Sequence, residues 1–265
     1  MLFQSGSLLM VIVVAYALKH LHVFGEHDYK VAQAFAFNLT LPCAIVLSFA
    51  TNKHDMSMLW IVLFGFLSAL IPLFVVFLGT HGDETRYRAF EMLNASGLNL
   101  GAFCLPVAQT LIGPSAGLPV VMMDVGNAIV ATAAALSVTK SLLHMDDAAA
   151  NLPIGLKLRN IARDFVSSLS FDTYMLMLML MIAHVTIPQW IVQLVTPFAN
   201  ANAFVTMAMV GLMMEIPSEA KDRMALLKVI VWRAGFAVVI GAAGWYLLPI
   251  DPSLKGIMLL CAASP

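Results

Sequence analysis

Charge is what this sequence has least of. Charged residues fill 11% of its 265 positions, where soluble domains carry about 25%. Fourteen Lys and Arg and fifteen Asp and Glu are too few to cover a water-exposed surface of this size. That excludes an ordinary soluble enzyme and a disordered chain. The charges nearly cancel, to a net −1, and form no basic block. Nucleic-acid binding is therefore excluded as well. Cysteine is equally scarce. Cys43, Cys104 and Cys261 are odd in number and lie in apolar runs, so they give neither a disulfide framework nor metal spacing. The chain has no P-loop, no HExxH and no nucleophile elbow. No enzyme chemistry, cofactor or metal is implied, and any transport would run on a gradient rather than on a P-loop ATPase.

Apolar sequence is abundant. Hydrophobic residues make up 61% of the chain, and the mean hydropathy is +0.90. About 20 apolar residues cross a bilayer as a helix. Suitable runs fall at 3–18, 31–50, 57–79, 89–112, 118–139, 171–187, 189–214, 227–248 and 254–265. They are continuous rather than alternating, which disfavours a barrel. The first lacks a basic n-region and a small-residue cleavage site, so it reads as a span and not a signal peptide. The expected fold is all-α: a polytopic, multi-pass protein of the cell membrane with the lipid bilayer as its solvent.

Lys and Arg give the orientation. Lys19, Lys30, Arg86, Arg88, Lys140, Lys157, Arg159, Arg163, Lys221, Arg223 and Lys228 all fall in odd-numbered loops. Even-numbered loops hold only Lys53 and Lys255. The odd loops are expected in the cytoplasm and the N-terminus outside. The one long connection, 145–170, carries basic residues among apolar ones from Leu156 to Leu169. It is either a helix lying on the membrane face or a solvated linker. It divides a first five-span half, 1–144, from a second half, 171–265, with three spans and the start of a fourth. An odd number of spans makes a second copy insert upside down, as in the inverted repeats of transporters. On a plan of two times five spans, the second repeat is expected to be incomplete.

Residues 89–113, AFEMLNASGLNLGAFCLPVAQTLIG, carry Asn94, Ser96, Gly97, Asn99, Gly101 and Pro106 inside an apolar run. Proline removes a helical hydrogen bond and clashes with the turn before it. This predicts an unwound break near Gly101–Leu105, with Pro106 starting a new half-helix. The N-terminus of that half-helix would favour an anion, with Asn99 donating to a carboxylate and no Arg or Lys needed or expected nearby. The competing reading is a simple kink with small residues for close packing. CAASP brings small residues up to Pro265 in the same way. Two proline-broken helices are a known way to build a substrate site.

Asp124 and Asn127 lie one helical turn apart in the fifth span. An intramembrane carboxylate is a functional candidate by default, and Asp124 suits a proton relay. Alternatively it reaches the outer interface or caps backbone exposed by the break. Asn38, Thr40 and Pro42 in span two, and Thr196, Asn200 and Asn202 in span seven, either line a pathway or bond helix to helix. Four features receive unremarkable readings. His184 is expected to pack in the core and Glu215 to reach water. Arg233 is expected to snorkel to the headgroups. The methionines of Met175–Met181 recur every second residue, so they surround the helix as lipid-facing filler and form no metal face.

The stretch NASGLNLGAFCLPVAQTLIGPSAGLPVVMMDVGNAIV resembles the auxin efflux carrier family, which includes bacterial malate and malonate permease-like members. The resemblance rests on Asn99-x-Gly101 ahead of Leu105-Pro106 and on Asp124-x-Gly126-Asn127 downstream. The stretch from Tyr29 to Ala50 is similar to the family's second span, and CAASP to the start of its second crossover. The resemblance implies ten spans in two inverted repeats, crossover helices broken at their prolines and separate scaffold and crossover domains. It further implies elevator-like alternating-access transport of small organic anions. It matches Asn99 and Pro106 to the first crossover and Pro265 to the second. Together with the reading of the residues, the candidates for substrate contact are Asn38, Asn99, Gly101, Cys104, Leu105, Pro106, Asn127 and Pro265, with Asp124 for a coupling proton. A homodimer fits the family. The alternatives are a sodium-coupled symporter of the bile-acid type, for which span four offers few carboxylates, and a membrane subunit that does not transport.

Overall fold

The computed structural model describes residues 2–53, 56–145, 168–248 and 250–265. Among these the chain is helical, with no strand. Helix α1 is Leu2–His20, α2 Tyr29–Thr51, α3 Met56–Gly79, α4 Thr85–Ala95, α5 Leu100–Leu111, α6 Gly117–Ile129 and α7 Ala135–Leu142. Then follow α8 Leu169–Ile182, α9 Gln189–Met213, α10 Ala220–Leu247 and α11 Pro252–Ala262. Four of them, α2, α3, α9 and α10, are long and apolar enough to cross a membrane. The 23 residues of α2 reach about 35 Å at ~1.5 Å per residue, enough for a hydrocarbon core of about 30 Å. The protein is a helical membrane protein. The amphipathic part of the 145–170 linker lies outside the described residues.

The helices form two compact units. Unit 1 is Met1–Met58, Asn99–Val121 and Ser168–Ile216; unit 2 is Leu59–Leu98, Met122–Ser167 and Pro217–Pro265. The division therefore does not follow the two sequence halves, 1–144 and 171–265. Each unit takes helices from both, because each helix packs on partners far away in sequence.

In unit 1, α9 packs along α1 and α2. Gly211 makes room for the Ile12 carbonyl, where a Cβ would collide with it. Thr40 donates to the Asn202 side-chain oxygen at 2.9 Å, joining α2 to α9. Ser170 donates to the Phe37 carbonyl at 2.6 Å, joining α8 to α2. Lys19, at the end of α1, pairs with Glu215 past the end of α9 at 3.2 Å. In unit 2, α3 and α6 touch backbone to backbone. A Cβ on Gly65 would strike the Met123 carbonyl, and one on Gly126 would strike the Val62 carbonyl. Small residues at such crossings are how helices associate in lipid, where apolar side chains gain little by leaving the acyl chains. Ala69, Leu73, Val76, Met92, Ala95, Val130 and Ala135 form the buried core of this unit.

Prolines at 42 and 106 do not open their helices. Each follows a five-residue π-turn, Ala36–Thr40 before Leu41-Pro42 and Leu100–Cys104 before Leu105-Pro106. A widened turn accommodates the missing N–H and the ring's pressure on the preceding turn, so the helix continues. Pro197 lies inside α9 and Pro72 inside α3 with no such interruption in the helix.

Three helices end on histidines in the left-handed region: His22, His144 and His184, at φ of 58°, 50° and 55°. In each case the following residue bonds back five positions, as Val185 N–H does to the Leu180 carbonyl at 2.9 Å. This is the Schellman ending, usually built on glycine. His184 is thus an exposed helix terminator and not a packed core residue. Met177 and Met181 are buried beside Tyr174, whereas Met179 is exposed. The methionine run thus supplies core as well as outward surface.

Candidate functional site

The open break in the fourth span is at Ser96–Asn99, one to two turns before the predicted Gly101–Leu105. Helix α4 ends at Ala95, Ser96 is extended, and α5 starts after Asn99 at φ −84°, ψ 68°. Gly97 turns the chain at φ +66°, a conformation glycine adopts freely and an L side chain resists. The glycine makes the opening, and the proline ahead of it only widens a turn. Pro106 is therefore not the first residue of the new half-helix; Leu100 is.

An interrupted helix leaves backbone polar groups without partners, and within a membrane each costs several kcal/mol. Asn127 meets this need in unit 2. Its side-chain oxygen accepts the Leu98 N–H at 2.8 Å, and its amide donates to the Leu98 carbonyl at 2.7 Å. The same amide donates to Asp124 Oδ1 at 2.9 Å. Both side chains are buried, Asp124 at 7% exposure and Asn127 at 2%. One turn of α6 thus carries a clamp and, behind it, a carboxylate that fixes the clamp's orientation. The cap expected of Asp124 is supplied by Asn127, which Asp124 in turn holds.

Arg233 reaches the same place from α10, and the geometry corrects two readings. It does not snorkel to the headgroups, and a cation does stand beside the break. Its Nη1 donates to the Asn94 carbonyl, in the last turn of α4. Its Nη2 donates to the Ser264 carbonyl at 3.3 Å, just beyond α11. Two helix C-termini, each with negative dipole character, share one guanidinium. Its Nε is buried and makes no hydrogen bond. A cavity of about 10 Å³ touches Gly97, Leu98, Arg233, Phe236, Ala262 and Ser264, room for roughly one water.

The remaining predicted residues divide between the units. Asn99, Gly101, Cys104, Leu105 and Pro106 belong to unit 1, as does Asn38, whereas Asp124, Asn127 and Pro265 belong to unit 2. Gly101, Cys104, Leu105 and Pro106 are buried, and Asn99 is half-buried. Asn38 is exposed, and its amide donates to the Ala34 carbonyl of its own helix at 3.0 Å. Thr40 and Asn202 join helix to helix, as the less specific of their two readings has it. Pro265 follows the Ser264 carbonyl that Arg233 binds and is itself exposed.

Sequence reasoning gave Arg233 a different role and missed Glu91. Glu91 has no exposed surface, and its Oε2 accepts the Trp232 indole N–H at 3.3 Å. Each had a signal: a formal charge well inside an apolar run, which demands a partner. Finding the partner needs the packing of α4 against α10. No protein-family model matches this chain, and no curated protein matches it.

Proposed function

We propose that this protein is a secondary transporter of small organic anions, working by alternating access across the cell membrane as a relative of the auxin efflux carriers. The observation that carries the reading is Arg233. A guanidinium within a span, joined to two helix ends and keeping a buried Nε–H without an acceptor, is a standing attraction for a carboxylate. It lies beside the chain opened at Gly97–Leu98, whose Leu98 peptide groups Asn127 already holds, so the guanidinium and not the backbone is the group offered to the anion. Asn127 and Asp124 hold that opening in place, and Asp124 is also the candidate site for a coupling proton.

The arrangement of the units supports the same reading. Spans one and two share a unit with six and seven, and spans three and five share one with eight and nine. One with six, two with seven and three with eight are pairs that an inverted five-span repeat makes, and two compact units fit alternating access. Orientation with the odd loops in the cytoplasm is supported by pairs within each unit. Lys19 of loop one meets Glu215 of loop seven, and Asp83 and Glu84 of loop three meet Lys228 and Lys221 of loop seven.

The test is uptake of radiolabelled mono- and dicarboxylates into vesicles containing the purified protein. Arg233→Gln is expected to lower uptake at least tenfold, and Arg233→Lys to recover part of it. Uptake unchanged in Arg233→Gln, or no carboxylate transported by the parent, would overturn the proposal.

A further inference from the structure

A second polar cavity of unit 2, of about 310 Å³, lies between the α3–α4 connection and the start of α10. Asp83, Glu84, Tyr87, Glu91, Lys221 and Lys228 line it. Its mouth is wet: the side chains of Glu84 and Lys221 are 67% and 71% exposed, and they pair at 3.3 Å. Lys228 Nζ lies 2.6 Å from Asp83 and only 3.6 Å from Glu91 Oε1. Three carboxylates therefore share two ammonium groups, and the uncompensated charge falls at the dry end. Glu91 is that end. Its side chain is 1% exposed, and Oε1 accepts no hydrogen bond.

The other charged groups around it do not supply the missing cation. Arg88, on α4, donates to the Phe77 carbonyl at 3.1 Å. Arg86 is 78% exposed and reaches Asp222 at 4.0 Å. Tyr87 also donates to Asp222, at 3.3 Å. Helix α3 has no charged residue, and Lys140, the charge on α7, is exposed. On α10, Arg223 donates to the Ser218 carbonyl and Arg233 to the break. A metal ion would need several oxygen or nitrogen ligands, and no group of three ligating side chains occurs among the described residues. One small cation needs only a single lone pair.

We propose that Glu91 is a proton-binding site filled from the side of loops three and seven. Water in the cavity delivers a proton to Oε1, converting carboxylate to carboxylic acid and removing the surplus negative charge. The Trp232 N–H stays on Oε2. Release returns the proton to the same water. Proton binding stands on this geometry alone. Its use to drive uptake rests on the transport reading above.

Trp232 supplies the readout, because its indole donates to the titrating group. Trp60, Trp190 and Trp245 are all exposed, so Phe at those three positions leaves Trp232 as the single emitter. Its fluorescence, excited beyond tyrosine absorption, is expected to change with pH in a one-proton step. The step is expected to vanish in Glu91→Gln. In Asp83→Asn, which leaves Lys228 to Glu91 alone, the step should persist with a moved midpoint. Emission flat with pH in the parent, a step surviving in Glu91→Gln, or an unmoved midpoint in Asp83→Asn would each overturn the site. In vesicles, an imposed proton gradient is expected to change carboxylate uptake several-fold in the parent and not in Glu91→Gln. A gradient without effect on the parent would overturn the coupling role. A normal fluorescence step with no carboxylate uptake at all would instead leave the proton site standing and count against the transport reading.

Discussion

Asn127 shows how one side chain can make an interrupted helix tolerable in lipid. Its oxygen and its amide take both polar groups of the Leu98 peptide unit. Asn127→Ala leaves an N–H and a carbonyl without partners, at about 1–3 kcal/mol each. We expect a loss of about 3 kcal/mol, read as a lower thermal midpoint in detergent. Asn127→Asp should lose at least as much, because it keeps the acceptor for the Leu98 N–H but sets two buried carboxylates side by side. Gly97 is tested in the same assay. A Cβ there would approach Ala131 Cβ to 3.3 Å, and the left-handed backbone resists any side chain by about 1–2 kcal/mol. Gly97→Ala should destabilise by that amount. A midpoint unchanged in both variants would show that the chain does not open at this point. Asp124 and Asn127 were legible as a pair from their spacing, since one turn of helix places them on one face. What the pair holds was not legible, because the held peptide lies 29 positions away.

Elements were more legible than their interruptions. Four of the nine apolar runs, 31–50, 57–79, 189–214 and 227–248, correspond to helices long and apolar enough to cross a bilayer. The break was misplaced because proline is the louder signal in sequence. A widened turn accommodates a proline that would otherwise break the helix, as before Pro42 and Pro106. Gly97 needed no proline, only a residue free to adopt positive φ and a partner for its neighbour. This ranking is testable. Pro106→Ala should restore regular α-helix over Leu100–Cys104 and change stability by less than about 1 kcal/mol, since it removes a defect the helix already accommodates. Backbone amide exchange at Leu98 should be unaltered. Faster exchange there would tie the opening to Pro106 after all. Histidine at the helix ends gives the opposite sign: His184→Gly relieves a left-handed side chain without removing the Schellman bond and should stabilise by about 1 kcal/mol.

At the scale of the molecule, charge asymmetry and packing make one claim about sidedness that either could have contradicted. Loops rich in Lys and Arg face the cytoplasm, and within each unit the ion pairs join odd loops to odd loops. These pairs are exposed or half-buried, worth about 0–1 kcal/mol each, so they report on proximity more than on stability. The arginine-bearing connection around His81 should then lie inside the cell, and the turn at Ser115, between α5 and α6, outside. Both residues are exposed, so either can carry a reporter thiol. With Cys43, Cys104 and Cys261 changed to Ser, Ser115→Cys should react with a membrane-impermeant maleimide on intact cells. His81→Cys should react only after the membrane is opened. The reverse pattern would turn the molecule over. The water that fills the Glu91 cavity would then be external, and the proton that site binds would have to come from outside the cell.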